Sequence, residues 1–421
     1  MGLPGNIGQT KSHQIMRFKV YLHILLVMLI SSCVEKEKKE VFAVKLLESP
    51  AGENSSLPYL FSNSETTLLS WVQKENDSLT HLYYSEFQDG VWQTANEIIS
   101  GTDWFVNWAD FPSIVENNGH LFSHILKKSS VGTYSYDVKM NLKSKNTKEW
   151  KLNIPLHTDG TPTEHGFVTA LPFQEGTFFV TWLDGRNTEE KEDEERGAMT
   201  IRAAVVSPDG VVSNENLLDS RTCDCCQTTA AITTNGPVVI YRDRSENEIR
   251  DISIVRQIDG KWTAPKAVHN DDWKIKGCPV NGPKVAVIEN TLAVAWFTAA
   301  NEKPAVRIAF SHDGDANFDK PITIGTSDVI GRVDVALLDK ETALVSYMES
   351  KDKSAQLKVA KINRLSGVSN ERVIAEISSS RKTGFPQMEL MGDKVLFAWT
   401  DVTDEKSTIK TAYVSAETLS N

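Results

Sequence analysis

The sequence predicts an all-β fold, a β-propeller of seven blades with six as the alternative, and three observations support this prediction. The chain is a series of short β-rich runs separated by Gly, Asn, Asp and Ser, and no long stretch shows helical periodicity. A unit made of an apolar strand, a turn and a second strand that ends in aromatic and polar residues recurs along the chain. These units are spaced by roughly 50–60 residues, which is a repeat length typical of propeller blades.

The seven units align by their first two runs. The innermost runs are 57–60, 111–114, 166–169, 227–230, 280–283, 332–335 and 385–388. The second runs are 69–71, 121–124, 180–184, 239–243, 294–296, 345–347 and 397–401. A single four-stranded sheet cannot bury both faces, whereas radial packing of several sheets buries them and leaves only short edges. The last unit ends after 409–414, so we expect the run 42–47 to supply its outer strand and close the ring.

Residues 1–33 are predicted to be a signal segment. A short basic region precedes the apolar run 20–30, and small residues follow it, as in secretory signals. That run is short for a membrane span. The segment 30–33 resembles the bacterial lipobox, and this resemblance implies that Cys33 is lipidated. Met16 is an alternative start of translation.

The remaining chain divides into a charged tether, 34–41, and the propeller domain, 42–421. The lipid would anchor the protein in a membrane, and the periplasmic face and the cell surface both stay open as locations. The composition is 40% apolar and 24% charged, which is sufficient for a large core. The formal net charge of −11 argues against a nucleic-acid-binding surface.

The segment 311–318 resembles an Asp-box, the hairpin motif of sialidase-like propellers. Asp315 stands where the motif has its second Gly, and Asn317 stands where it has Thr. The Asp and Gly residues suit a tight turn, and the final aromatic residue packs into the blade. Three segments match the Asp-box more weakly, and each is expected between the third and fourth strands of its blade: 89–92, 207–210 and 259–262. The resemblance implies a sialidase-like (BNR or Asp-box repeat) propeller.

The same resemblance leaves the activity open. Sialidases use an arginine triad, a Tyr–Glu nucleophile pair and an acidic proton donor, and an early Phe-Arg-Ile-Pro-like segment supplies the first arginine. The nearest stretch here, 111–114, has no arginine, so the arginine motif of an exo-sialidase-like glycoside hydrolase is incomplete. The segments 223–226 and 277–283 also resemble uncharacterised sialidase-like proteins, from which no function can be transferred.

In a propeller, the starts of the innermost strands and the ends of the second strands surround one mouth of the central channel, where ligands usually bind. A charge near the axis, such as Arg332, needs Asp334 or an anionic ligand as its partner. The predicted catalytic carboxylates are Asp184, Asp243 and Asp401. The predicted ligand-binding residues are His165, Arg186, Arg242, Asn281, Arg332 and Asp334.

Four cysteines precede two consecutive innermost strands and should therefore lie close together: Cys223, Cys225, Cys226 and Cys278. An even number of cysteines in an exported protein is typical of disulfides. The alternative is a thiolate site for copper or zinc, with His165 as a conceivable further ligand, and a redox-active thiol pair is a third reading.

Two functions remain open from the sequence. In the first, the lipoprotein binds, and in an enzymatic version hydrolyses, an anionic glycan at the channel mouth. In the second, it is a non-catalytic surface module that binds a protein or polysaccharide and carries a Cys-ligated metal. The crowded polar mouth favours the first function, and the incomplete arginine motif favours the second.

Overall fold

The computed structural model describes residues 1–2, 41–189, 197–312, 317–326 and 328–420, and Phe42–Asn421 form one compact unit. The described part of that unit contains seven antiparallel sheets and no α-helix, which confirms the predicted seven-bladed propeller. The proposed lipidation site, Cys33, lies outside the described residues and stays a prediction. No helix among the described residues is long and apolar enough to cross a membrane.

Each blade runs from an innermost strand at the axis to an outermost strand. The innermost strands are Ser55–Ser62, Ile114–Asn117, His165–Pro172, Thr229–Thr233, Lys284–Ile288, Val329–Asp339 and Gln387–Met391. The second strands are Thr67–Lys74, His120–Lys128, Phe178–Asp184, Gly236–Arg242, Thr291–Thr298, Thr342–Lys351 and Lys394–Thr403. The third strands are Thr80–Gln88, Tyr136–Lys143, Thr200–Val206, Ile252–Ile258, Ala305–Ser311, Ser354–Asn363 and Lys406–Ser415. The outermost strands are Asn96–Gly101, Lys151–Pro155, Val212–Asp219, Lys266–His269, Ile322–Thr326, Gly367–Ile377 and Lys45–Leu47.

Two further short strands extend the hairpins of blades 1 and 4, namely Val91–Trp92 and Lys261–Trp262. The connections also contain short 3-10 helices, which are Gln174–Gly176, Arg186–Thr188, Ala300–Glu302, Arg381–Thr383 and Glu417–Ser420.

The ring is closed without a covalent bond. Lys45–Leu47 forms the outermost strand of blade 7 and pairs antiparallel with Lys406–Ser415, with Lys45 opposite Tyr413. The N-terminal strand therefore supplies the outermost strand that the last repeat lacks, as the sequence predicts. This pairing covers the edge of the third strand of blade 7, which would otherwise present unpaired backbone groups.

The aromatic residues of the second strands form the packing between blades. They are at most 1% exposed in five blades, where they are Trp71, Trp182, Tyr241, Trp296 and Tyr347. The flat faces of neighbouring sheets exclude water around these rings, and burial of such large apolar surfaces is the main stabilising contribution in a fold of this kind.

The three segments that match the Asp-box weakly form turns between the third and fourth strands of their blades. In blade 1, Asp89 and Gly90 have φ values of 51° and 84°, and a positive φ at both positions is what a type I′ hairpin turn requires. The indole of Trp92, just after this turn, donates to Thr411 of blade 7 over 3.0 Å. The hairpin thus fixes one blade to its neighbour. The turn of the segment 311–318 lies largely outside the described residues.

Candidate functional site

The connections that precede the innermost strands line a cavity of about 500 Å³, which we call the mouth cavity. Its lining residues are Phe105, Asn107, Trp108, Ala109, Asp110, Tyr134, Tyr136, Glu164, Phe167, Asp224, Cys225, Cys278, Val280 and Arg381. A second cavity of about 140 Å³, the channel cavity, is lined by residues of all seven blades and shares Ala109, Asp110 and Phe167 with the first. The two cavities therefore lie on a common path into the propeller axis.

A repeated backbone feature shapes the channel cavity. Three innermost strands have a break in register near their start, at a residue with left-handed backbone: Leu57, Phe167 and Arg332, with φ values of 58°, 51° and 54°. Such a bulge redirects the side chains that follow it. The residues two positions later all line the channel cavity, and these are Tyr59, Thr169 and Asp334.

The channel cavity concentrates acidic groups beside one lysine. Both Asp334 and Glu389 line it, and Lys284 lies on the innermost strand of the adjacent blade 5. Burial, and next the charge of Asp334, raise the pKa of Glu389 to about 8. Burial also raises the pKa of Asp334, whose two oxygens accept backbone N–H groups over 2.9 Å each. Both carboxyl groups therefore hold a proton more readily than an exposed carboxyl group does.

Aromatic rings form one wall of the mouth cavity. Trp108 stacks on Phe385 with a centroid distance of 5.9 Å, and Phe105 stacks on Tyr136 at 4.2 Å. Tyr134 meets the edge of Phe105 at 6.1 Å. Flat, rigid rings around a few polar groups are typical of a small-molecule or sugar site.

Arg332, a predicted ligand-binding residue, lies behind Trp108 of this wall and is itself not among the residues that line the mouth cavity. Its guanidinium is 5.0 Å from the centre of the Trp108 ring and donates to the carbonyl oxygen of Gly384 over 2.8 Å. Asp334 is not its partner, and within the described part of the chain no carboxylate pairs with it. Burial and the nearby charge of Arg381 lower the pKa of Arg332 to about 10. The positive charge here is therefore incompletely compensated.

Tyr136 of this aromatic wall also contacts two carboxyl groups in the mouth cavity. The Tyr136 hydroxyl donates to Oε1 of Glu164 over 2.6 Å and lies 3.5 Å from Oδ2 of Asp110. The other oxygen of Asp110 accepts the N–H of Phe167 over 2.8 Å. Burial raises the pKa of Asp110 well above its usual value, against the effect of the Phe167 N–H, and the charge of Glu164 adds to the rise. A side chain at Gly166 would collide with Asp110, so glycine is required there.

The predicted residues Arg242 and Asn281 hold the wall of the mouth together. The guanidinium of Arg242 donates to the carbonyl oxygens of Asn281, Arg250 and Phe297, over 2.6 to 3.1 Å. The side-chain oxygen of Asn281 accepts the backbone N–H of Arg332 over 2.7 Å. This chain of contacts joins blades 4, 5 and 6 behind the cavity, and neither residue is among those that line it.

The predicted residues His165, Asp184 and Arg186 form a buried ionic cluster. Asp184 is fully buried and binds Arg186 through two N–O contacts of 2.7 Å. The imidazole of His165 stacks on that of His157 at 3.9 Å, and its Nε2 lies 3.4 Å from Asp159. Burial lowers the pKa of His165, but the hydrogen bond with Asp159 and the charge of Asp184 outweigh burial and raise it. None of the three lines the mouth cavity.

The three predicted catalytic carboxylates lie on different blades. Asp184 is on blade 3, Asp243 follows the second strand of blade 4, and Asp401 is on the second strand of blade 7. Among the described residues, no hydrogen bond or ion pair joins any two of them. Asp243 accepts from the hydroxyl of Ser253 over 3.0 Å, and burial, with the charge of Asp219, raises its pKa to about 6. Their catalytic role stays a prediction.

The four cysteines meet as the sequence predicts and are free thiols in this structure. The sulfur of Cys223 lies 3.6 Å from that of Cys226 and 3.9 Å from that of Cys225. Hydrogen bonds from these two thiols, and then the charge of Arg250, lower the pKa of Cys223. Cys225 and Cys278 line the mouth cavity, so the cluster forms part of its wall. The conceivable ligand His165 contacts aspartates and a histidine instead.

The residues of the mouth that sequence reasoning did not single out are Trp108, Tyr136, Glu164 and Arg381. They lie in connections or at strand ends that have no counterpart in the other repeats. The one sequence signal concerns Trp108, which belongs to the aromatic-rich segment 104–108 directly before the second unit.

No family model matches the sequence, and no curated protein matches it. Among solved structures, the chain is similar to a polysaccharide lyase with a TM-score of 0.53 and 9% identity, over 92% of this chain and 94% of the lyase. It is also similar to an α-L-arabinofuranosidase from Fusarium graminearum (TM-score 0.47, 11% identity, 91% of this chain and 100% of the other). A Hadza microbial sialidase gives a TM-score of 0.43 and 13% identity over 70% of this chain and 63% of the sialidase. At 9% identity the first likeness shows the propeller fold alone.

Proposed function

We propose that this protein is an exported lipoprotein whose propeller binds a glycan with an anionic group in the mouth cavity. One observation carries the proposal: the guanidinium groups of Arg332 and Arg381 lie 5.0 and 5.9 Å from the centre of the Trp108 ring, and neither forms an ion pair with a carboxylate in the described part of the chain. An aromatic face suits the apolar face of a sugar ring, and guanidinium groups suit a carboxylate or sulfate substituent. The cavity volume of about 500 Å³ is adequate for a small oligosaccharide unit.

The export part of the proposal rests on the apolar run 20–30 and the lipobox-like residues 30–33. Lipidation at Cys33 would anchor the propeller outside the cytoplasm, on the periplasmic face or at the cell surface. Polysaccharides are accessible at both locations. Metabolic labelling with a fatty acid, compared between the chain and its Cys33→Ser variant, tests this part separately.

The binding proposal is tested on an array of carboxylated, sulfated and neutral glycans, followed by titration of each hit. Arg381→Ala is expected to weaken binding of an anionic hit about tenfold, or roughly 1.4 kcal/mol. Lys382→Ala is the matched control, because it removes a neighbouring exposed charge that does not line the mouth cavity. Preference for neutral glycans, or equal losses in both variants, would contradict the proposal.

A second candidate function is hydrolysis of the bound glycan, and the contacts of Tyr136 with Glu164 and Asp110 favour it. A buried carboxyl group with a raised pKa, such as Asp110, keeps a proton that it can donate to a leaving group. Release of reducing sugar from an array hit tests this version. Binding without any release leaves a non-catalytic binding protein.

A further inference from the structure

Three sulfur atoms converge at one point in the wall of the mouth cavity. The sulfurs of Cys223, Cys225 and Cys226 all lie within 4.8 Å of one another, with Cys223 at 3.6 and 3.9 Å from the other two. The thiol of Cys278, from the next connection around the ring, interacts with that of Cys225 but lies outside this group of three, so it would have to move closer to become a fourth ligand. Cys223 and Cys225 thus link the four sulfurs, because Cys226 lies beside Cys223 and Cys278 beside Cys225.

These separations fit thiolates around a metal ion. A tetrahedral site with zinc–sulfur bonds of about 2.3 Å places neighbouring sulfurs about 3.8 Å apart. A disulfide brings two sulfurs to about 2.05 Å and uses only one partner for each cysteine. Here Cys223 has two sulfur neighbours at similar distances, and a disulfide between the adjacent Cys225 and Cys226 would be strained. A metal ion would use all the sulfurs together.

The backbone around the cluster is fixed by independent contacts. The N–H of Cys223 donates to the carbonyl oxygen of Arg242 over 3.1 Å, which ties it to the end of a strand. The side chain of Gln227 donates to Ala109 over 2.5 Å and accepts from the N–H of Gly282 over 3.0 Å. Both cysteine-bearing connections are therefore held in place by groups other than the sulfurs, and the ligands are preorganised.

The surroundings also compensate the charge of such a site. Four thiolates around a divalent ion carry a net charge of −2, which must be balanced where it is buried. Arg250 is 4% exposed and donates from Nη1 to the sulfur of Cys223 over 3.1 Å and from Nη2 to Glu248 over 2.9 Å, and its Nε has no hydrogen-bond partner among the described residues. The charge of Arg242 also acts on Cys226. Hydrogen bonds from arginine to a metal-bound thiolate stabilise the ligand in its charged form.

From this geometry we propose that Cys223, Cys225, Cys226 and Cys278 bind one thiophilic metal ion, zinc or copper(I), through their thiolates. The site goes beyond the proposed glycan binding and does not depend on it. It would fix the connections before blades 4 and 5 at the wall of the mouth cavity. Binding of the ion displaces the thiol protons to solvent, and no change of oxidation state is involved.

The first test is a count of metal and thiols on the full chain, purified without chelator under anaerobic conditions. We expect about one zinc or copper ion per chain, as for a single structural site. Elemental analysis identifies which ion it is. The four thiols should resist alkylation in the native protein and react after denaturation with a chelator. Cys33→Ser is the matched control, because it removes a cysteine outside the cluster and should keep the full metal content.

The second test uses Cys223→Ser and Cys226→Ser, which should lose the bound ion. Far-ultraviolet circular dichroism reports whether each variant retains its β structure. If a variant fails to fold, cobalt(II) added to the metal-stripped wild-type chain gives an independent readout, a sulfur-to-cobalt charge-transfer band. The proposal is overturned if the wild-type chain contains no metal, takes up none from zinc or copper(I) solutions, and shows disulfides or freely alkylated thiols by mass spectrometry.

Discussion

The guanidinium of Arg332 lies 5.0 Å from the centre of the Trp108 ring and joins two distant parts of the chain across the mouth. Trp108 belongs to the connection before blade 2, whereas Arg332 lies in the innermost strand of blade 6. Burial and the charge of Arg381 lower the pKa of Arg332 to about 10, and no carboxylate of the described residues pairs with it. An anionic ligand would supply the missing charge, and its affinity should depend on this residue.

Arg332→Gln should therefore weaken binding of an anionic glycan about tenfold, which corresponds to roughly 1.4 kcal/mol. Arg332→Lys keeps the charge and should retain more of the affinity. Isothermal titration with the same glycan measures both variants. Equal losses of affinity in Arg332→Gln and Arg332→Lys would show that the shape of the side chain at this position, and not its charge, controls binding.

Asp110→Asn should increase stability at neutral pH. The pKa of Asp110 is raised on folding, so its contribution to stability is largest below the pKa of the unfolded chain and is lost as the pH rises through the folded pKa. Asparagine cannot ionise and still accepts the N–H of Phe167. Urea unfolding between pH 4 and 8 should show a smaller decline of the free energy of unfolding with rising pH for the variant than for the wild type. Asp209→Asn, at an exposed position, serves as control.

His165→Gln should destabilise the fold by about 2 kcal/mol at pH 6, because it removes the cation between Asp159 and Asp184, although Arg186 still binds Asp184. The pKa of His165 is raised, so its stabilising contribution is present below the unfolded pKa and is lost as the pH rises through the folded pKa. Urea unfolding as a function of pH should show this loss in the wild type and not in the variant. A double-mutant cycle with Asp159→Asn measures the interaction energy between His165 and Asp159. A coupling energy near zero would exclude a stabilising interaction between these two residues.

Tyr136→Phe tests the hydrolytic version of the proposed function. The change removes the hydroxyl that contacts both Glu164 and Asp110, so sugar release should fall at least tenfold while glycan affinity changes little. Tyr134→Phe is the control, since Tyr134 lines the same cavity but is 61% exposed. Turnover that survives Tyr136→Phe would exclude a catalytic role for this hydroxyl.

Removal of residues 1–47 should lower the melting temperature by roughly 5 °C or more and promote association. The deletion removes Lys45–Leu47 and exposes the edge of Lys406–Ser415. Removal of residues 1–40 keeps the closing strand and is the control. Calorimetry and light scattering follow both truncated proteins, and identical melting temperatures would mean that the closing strand contributes little.

Much of the fold is readable from the sequence because its signals are local. The short β-rich runs, the spacing of the units and the aromatic residue near the end of the second strand in most blades recur along the chain. The closing strand Lys45–Leu47 follows from the incomplete last unit. The proximity of Cys223 and its neighbours follows from their position before consecutive innermost strands.

The chemistry of the mouth was decided only by the tertiary structure. Whether Asp184 faces a ligand or Arg186 depends on how one connection folds, and no repeat constrains it. Tyr136 and Glu164 meet through a 2.6 Å hydrogen bond although neither stands out in the sequence. The sequence by itself determined the propeller, its closure and the end of the axis where polar residues gather. The pairing of individual side chains depends on non-repeating loops from distant blades, and only packing around the axis brings those loops together.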